Sequence, residues 1–161
     1  MIVAFDFILY WDHRISHHWG IMWSTHKIHH TITTPTAVYA SLAGIVDELM
    51  TANCVYLAAL IVQPHPVPFA FACGGILAEL AALHSGLENA WFDFIALRYL
   101  PGRSSNRMHD FHHQYGNKMG GLNFGHFFWI WDYAFGTLAV TKPRKLIGLP
   151  KKQIDKMGTL R

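Results

Sequence analysis

Residues 13–30 read HRISHHWGIMWSTHKIHH, six histidines in eighteen positions of an otherwise apolar chain. The imidazoles follow a pattern: His13-x-x-x-His17, then His26-x-x-His29-His30, and far along the chain His109-x-x-His112-His113. On a helix, residues three and four apart share a face, so each cluster can aim two or three rings at one point. Twelve histidines in 161 residues predict about 0.07 chance matches to HxxHH, and the chain has two. One histidine on an apolar face is most often a satisfied core residue; eight in three patterned groups call for a shared ligand. The first two clusters also constrain the backbone. In one straight helix at about 100° per residue, His13 and His17 point near 240° and His26, His29 and His30 near 75°. They share a site only if the helix breaks between them, and Gly20 is the expected place.

Neutral imidazole suits zinc, copper, iron and nickel. Eight ligands exceed one tetrahedral zinc and suit two six-coordinate ions with positions left open. The HExxH pattern is absent, and none of Glu48, Glu79 or Glu88 is followed by a histidine three residues on, so no ExxH pattern exists either. The predicted site is made of histidine alone.

The chain is 52% hydrophobic and 14% charged, with a mean hydropathy of +0.18, where a soluble domain carries about 25% charged residues. The deficit predicts a membrane protein, with a subunit buried in an oligomer as the alternative. Two apolar arms, residues 44–62 and 69–87, flank PHPVP at 64–68, whose three prolines should break a helix. Glu79 in the second arm is costly in lipid and should face protein. Residues 89–100 form a short amphipathic surface helix, RMHDFHHQYGN at 107–117 begins helical, and FGHFFWIWDYAF at 124–135 is expected to be an aromatic-rich helix closed by Gly136. With no repeat and no strand alternation, the chain is all-α: a multi-helix integral membrane protein with a transmembrane hairpin. Cys54 and Cys73 sit in apolar runs and read as small buried hydrophobes, and no basic n-region marks a signal peptide.

Residues 142–161 hold seven basic residues against Asp155 alone, whereas the rest of the chain holds six basic and nine acidic. A basic segment after apolar helices reads as a cytoplasmic tail that meets anionic lipid, or equally as a merely solvated tail. Nucleic acid is excluded as a partner, because no reading motif accompanies the basic residues.

The pattern resembles the membrane fatty acid hydroxylase and sterol desaturase superfamily. The matching stretches are DFILYWDHRISH, WSTHKIHHTITTPTA, HSG at 84–86, HDFHH and WDYAFGT, in the family's order over residues 6–37 and 84–137. HSG followed by HDFHH and NFG…WDYAFGT looks most like 4-methyl sterol oxidases and sterol hydroxylases. The resemblance implies a single domain over residues 1–161, with a cytosol-facing histidine-rich helical cap over the hairpin. Relatives place transmembrane helices before the first histidine box, whereas twelve residues precede His13 here; the chain is a fragment, has a miscalled start or is a minimal member. It implies that His13, His17, His26, His29, His30, His109, His112 and His113 bind two non-haem irons, with His84 as a ninth ligand. Asp12, Asp110 and Asp132 are candidates to hold imidazole N–H groups. His18 and His65 fall outside the pattern, and His126 stands where relatives have a small or polar residue. The implied activity is dioxygen-dependent hydroxylation of a sterol or fatty-acyl lipid, in a multi-pass protein of the endoplasmic reticulum or bacterial cytoplasmic membrane. Electrons must come from outside, from a b-type cytochrome with its NAD(P)H reductase or from a ferredoxin. The alternatives are a desaturase on the same scaffold, a non-catalytic histidine-rich metal-binding protein, and a bis-histidine haem protein.

Overall fold

The computed structural model describes residues 1–31, 36–86, 90–116 and 121–139; the basic tail at 142–161 lies outside them. Helix α1 covers Ile2–His18. Trp19 then takes an extended conformation (φ −102°, ψ 117°), and α2, Gly20–His26, leaves in a new direction. The predicted break is therefore present, one residue early: Trp19 makes it, and Gly20 opens the next helix. A 3-10 turn at His29–Thr31 and a second at Ala37–Ser41 lead to α3, Ile45–Val62. Helix α4 follows at Pro66–Leu83, then α5 at Ala90–Ile95, α6 at Asn106–Tyr115 and α7 at Ile130–Ala134. The described residues hold no strand, only an isolated bridge between Arg103 and Phe128.

The hairpin between α3 and α4 is tighter than the prolines predict. Gln63 ends α3 in the left-handed conformation, and α4 begins at Pro66. First-turn N–H groups have no helical partner, so Pro66 and Pro68 start this helix without losing a bond. Both arms are 18 residues long, with mean hydropathies of 1.7 and 1.6, long and apolar enough to cross a membrane, yet only 17% of each is buried. A core helix of a soluble protein would be mostly buried. Here Ile45, Leu49, Leu60 and Ile61 on α3 and Val67, Phe71 and Leu77 on α4 face outward. An apolar surface of this extent calls for lipid or a partner.

The inner faces close a small core of Phe5 and Leu9 from α1, Cys54 and Ala58 from α3, Ile76 from α4, and Phe127. Each large side chain buried there stabilises the fold by about 1.5–3 kcal/mol. Cys54 is buried as expected, and Cys73 is half-buried; both are free thiols. Glu79 also points inward. Its carboxylate pairs with Arg98 at 3.2 Å and Arg103 at 3.1 Å, and Arg98 reaches on to Asn106 at the start of α6.

The helix expected over 124–135 is only Ile130–Ala134. Two carboxylates account for the difference. Asp132 accepts from the N–H of Phe124 (2.7 Å) and Gly125 (2.8 Å), and Asp6 on α1 accepts from Phe127 (2.8 Å), Phe128 (3.0 Å) and the Trp131 indole (2.9 Å). Backbone donors taken by side chains are lost to the helical ladder, so residues 124–128 stay irregular. Gly136 does follow the short helix, at φ 70°.

Candidate metal centre

Four segments of the chain converge on one buried region: α1, α2 with its following turn, the end of α4, and α6. They bring nine histidines into two groups. His13, His17, His26, His30 and His112 form one; His29, His84, His109 and His113 form the other, and within each group the facing ring nitrogens lie within 4.8 Å of one another. All nine are buried. Ser105 caps α6, which sets the face carrying His109, His112 and His113.

Neighbouring Nε2 atoms are 3.1 Å apart for His17 and His26, 3.2 Å for His26 and His30, and 3.2 Å for His30 and His112. In the other group the distances are 3.0 Å for His29 and His84, 2.8 Å for His84 and His109, and 3.1 Å for His109 and His113. The outward nitrogens reveal what these contacts are. Nδ1 of His13 donates to the Phe124 carbonyl (3.0 Å), that of His29 to Leu42 (3.2 Å), that of His84 to Leu80 (2.7 Å) and that of His112 to Leu122 (2.7 Å). A carbonyl has no proton to give, so each of these rings is protonated on Nδ1 and presents an Nε2 lone pair inward. His26 does the same against the Asp47 carboxylate at 3.0 Å.

For His29 and His84 both protons are committed outward, and two lone pairs face each other at 3.0 Å. That arrangement is repulsive unless a cation lies between them. Ligands at 90° on an ion about 2.1 Å away are about 3.0 Å apart, and at the tetrahedral angle about 3.4 Å. The observed 2.8–3.2 Å fits the former. The donor set suits an ion of octahedral preference.

The other residues singled out in the sequence lie as follows. Asp132 binds backbone N–H groups and the Thr137 hydroxyl (2.7 Å) and no imidazole. Asp12 lines the cavity described below, and Asp110 is buried on α6. His18 is exposed and donates to the Arg14 carbonyl, and His65 caps α4 by accepting from Val67 N–H. Among the described residues, Asp47 is a carboxylate that does hold a ring, that of His26. Its signal was an acid inside an apolar arm, which is costly in lipid and therefore tends to mark a site. The supporting carbonyls carry no signal in residue type at all.

A cavity of about 600 Å³ opens onto both groups, touching His13 and His26 of one and His29 and His84 of the other. It continues between Phe5 and Leu9 of α1, Thr51 to Val55 of α3 and Cys73 to Leu80 of α4, so its deeper wall is mainly apolar.

The fatty acid hydroxylase family model matches residues 1–137. The chain belongs to the fatty acid hydroxylase family. This hydroxylase-family chain is 30% identical over 128 residues to methylsterol monooxygenase 1 of Rattus norvegicus, covering 80% of this chain and 41% of the relative. It is 29% identical over 135 residues to very-long-chain aldehyde decarbonylase GL1-10 of Oryza sativa subsp. japonica, covering 82% and 42%. Methylsterol monooxygenase 2-2 of Arabidopsis thaliana is 26% identical over 132 residues, covering 82% and 48%. The chain thus spans under half the length of these curated relatives. No solved structure matches it. The family and the two apolar helices together make the hydroxylase-family chain a membrane-associated protein.

In this hydroxylase-family site, burial makes the charged imidazole unfavourable, and neighbouring imidazoles add to the effect. His84 is pushed down to about 4, His126 to about 3, and His13, His29, His30, His109, His112 and His113 are all held below the ordinary value. Unfolded histidines titrate near 6.5, so below that pH the unfolded chain binds more protons and stability is lost as pH falls. Burial also raises Asp6 to about 7 and Asp12 to about 6, and raises Asp132; these oppose the trend, but the depressed imidazoles outnumber the raised carboxyls. The metal-free protein is therefore expected to melt progressively lower between pH 6.5 and 4. Thermal melts with chelator at pH 7, 6 and 5 check this; a flat or rising profile would refute it.

Asp47→Ala removes the acceptor that keeps the proton of His26 on Nδ1. Metal affinity is expected to fall about 10–100-fold, read by competition with a chelator, with Asp47→Asn intermediate.

Proposed function

We propose that residues 1–137 are one catalytic domain of a non-haem di-iron, dioxygen-dependent hydroxylase acting on a lipid, a sterol or a fatty-acyl chain. The observation that carries this reading is the pair of imidazole groups, five and four, with the Nε2 lone pairs of His13, His26, His29, His84 and His112 turned inward, opening onto a mainly apolar cavity beside two membrane-capable helices. His13, His17, His26, His30 and His112 would hold one ion and His29, His84, His109 and His113 the other. Six-coordinate ions would keep positions free for dioxygen. Bound there, the irons would supply with dioxygen and two electrons the oxidising power that an unactivated C–H bond requires, giving an alcohol and water.

The protein's own part is positioning. Leu42, Leu80, Leu122 and Phe124 carbonyls and Asp47 fix ring tautomers and angles. The walls from α1, α3 and α4 align an apolar chain with the centre and exclude water. Neutral imidazoles suit so dry a site, since unpaired buried anions are costly. Electrons would come from a b-type cytochrome with its NAD(P)H reductase or from a ferredoxin. The protein would be multi-pass, in the endoplasmic reticulum if eukaryotic or the cytoplasmic membrane if bacterial, with the histidine cap and the basic tail on the cytosolic side. The methylsterol monooxygenase relatives support a sterol substrate.

The test is iron content together with turnover. Detergent-purified protein should carry two irons per chain and, given reductant and ¹⁸O₂, place one labelled oxygen in a sterol or fatty-acyl lipid. An alkene product would indicate a desaturase, and bound iron without turnover on any lipid a metal-storage protein; either result would overturn the hydroxylase reading.

A further inference from the structure

The two arms of the hairpin do not close on each other. Helix α3 packs on α1 and α2, and α4 packs on the turn at Ala37–Ser41 and on α6, while contact between α3 and α4 themselves is sparse. The space left between them is the apolar part of the cavity that reaches the imidazoles: Ala52 and Val55 line it from α3, and Cys73, Leu77 and Leu80 from α4. Most of the lining is buried or half-buried, but Ala37, Ser41, Glu48, Ala52 and Leu77 are exposed. These residues mark the mouth of the cavity. Leu77, 68% exposed, is its one large apolar member, and alanine at 37 and 52 leaves the rest of the rim wide.

The mouth lies at the depth of lipid. At about 1.5 Å per residue, Glu48 is about 5 Å and Ala52 about 10 Å from the start of α3, and Leu77 is about 9 Å from the end of α4. Those ends carry the imidazoles, since His84 follows α4 directly and Asp47 in the first turn of α3 holds His26. An arm of 18 residues is about 27 Å long, close to the roughly 30 Å of a hydrocarbon core. Ser41 and Glu48 therefore stand at the polar boundary, and Ala52 and Leu77 about a third of the way into the hydrocarbon. The charge at the mouth narrows what can use it. No lysine or arginine lines the cavity, and Glu48 stands on its rim. An anionic head group would lose water there and find no counter-charge, at high cost. An uncharged head can hydrogen-bond to Ser41 or Glu48 while its apolar body lies between the arms.

We propose that the substrate is an uncharged lipid that enters sideways from the bilayer through the gap between α3 and α4, with Ala52 and Leu77 as the posts that set what passes. The inference deepens the lipid-oxidising reading above and rests on it.

Photolabelling of the full chain in phosphatidylcholine nanodiscs tests it, with the labelled residues identified by mass spectrometry. The probes are diazirine-bearing cholesterol and diazirine-bearing monoacylglycerol, both uncharged, and a diazirine-bearing alkyl sulfate. At least one uncharged probe should label the inner wall at Leu9, Val55 or Leu80, and excess unlabelled lipid of the same kind should abolish that signal. The sulfate should label only outward residues such as Leu60 and Phe71, which are exposed on the far faces of the arms. Ala52→Trp and Leu77→Trp should lower inner-wall labelling by about tenfold or more, the cost of filling the gap, with labelling of Leu60 and Phe71 unchanged. Leu77→Ala, which widens the gap, should raise it, so a folding defect in the tryptophan variants leaves the test intact. Inner-wall labelling by the sulfate, labelling that ignores all three variants, or none by either uncharged probe would overturn the proposal. Photolabelling needs neither iron nor turnover, so the hydroxylase reading stands or falls separately.

Discussion

His112→Ala is expected to cost at least one metal ion per chain and to lower turnover by more than about 100-fold, the upper end of what losing a mere support of a ligand costs. His112 is 1% exposed and lies among the rings of its own group: its ring is 4.4 Å from His13, 4.7 Å from His17 and 4.8 Å from His30. Its Nδ1 proton is fixed on the Leu122 carbonyl, so Nε2, 3.2 Å from that of His30, has only a lone pair to offer inward. Alanine leaves the other rings without this donor and a void in its place. His65→Ala is the matched control. His65 caps α4 away from the site, and its loss should cost about 1 kcal/mol of stability at most while leaving metal content and turnover within about twofold. Iron analysis and turnover on the two variants, with melting curves to normalise for folded protein, provide the check. Equal losses in both would end the assignment of the histidines as ligands.

Glu79→Ala is expected to destabilise the fold by about 3–5 kcal/mol, the range for removing one partner of a buried ion pair. Glu79 lies on α4, and its carboxylate is almost fully buried between Arg98 and Arg103. Arg98 also contacts Asp93 and Asn106, and Arg103 donates to the carbonyls of Phe127 and Ala96. Without Glu79, the two guanidinium groups lose the buried carboxylate they share. The metal centre should weaken as well, because this network joins α4, which ends beside His84, to α6, which carries His109, His112 and His113. Unfolding in a single detergent measures the loss. Replacing Glu79, Arg98 and Arg103 together with apolar residues of similar size should recover most of it. A loss below about 1 kcal/mol for Glu79→Ala would show that water reaches the pair and that the span is not closed there.

Much of the candidate site is legible in the amino-acid order because its ligands come in local patterns. Spacings of three and four turn His109, His112 and His113 to one side of α6, although His112 joins one group and His109 and His113 the other, and the opposed directions of His13 and His26 require a break, found at Trp19. His84 has no such pattern around it and came only from the resemblance. Asp47 has no local pattern that ties it to the histidines, because its partner His26 lies on another helix. The stretch from Phe124 to Phe128 was read as helix, because the carboxylate that claims two of its N–H groups belongs to Asp6, more than a hundred residues earlier.

The sequence by itself determined the helical class, the apolar hairpin and the identity of the clustered imidazoles, since composition and short-range periodicity are properties of neighbouring residues. Only the tertiary structure decided how the nine rings divide into five and four, which nitrogen of each faces inward, and that His126 stands beside them. Those outcomes depend on where carbonyls and carboxylates remote in the chain come to rest, and such contacts leave no trace in local order.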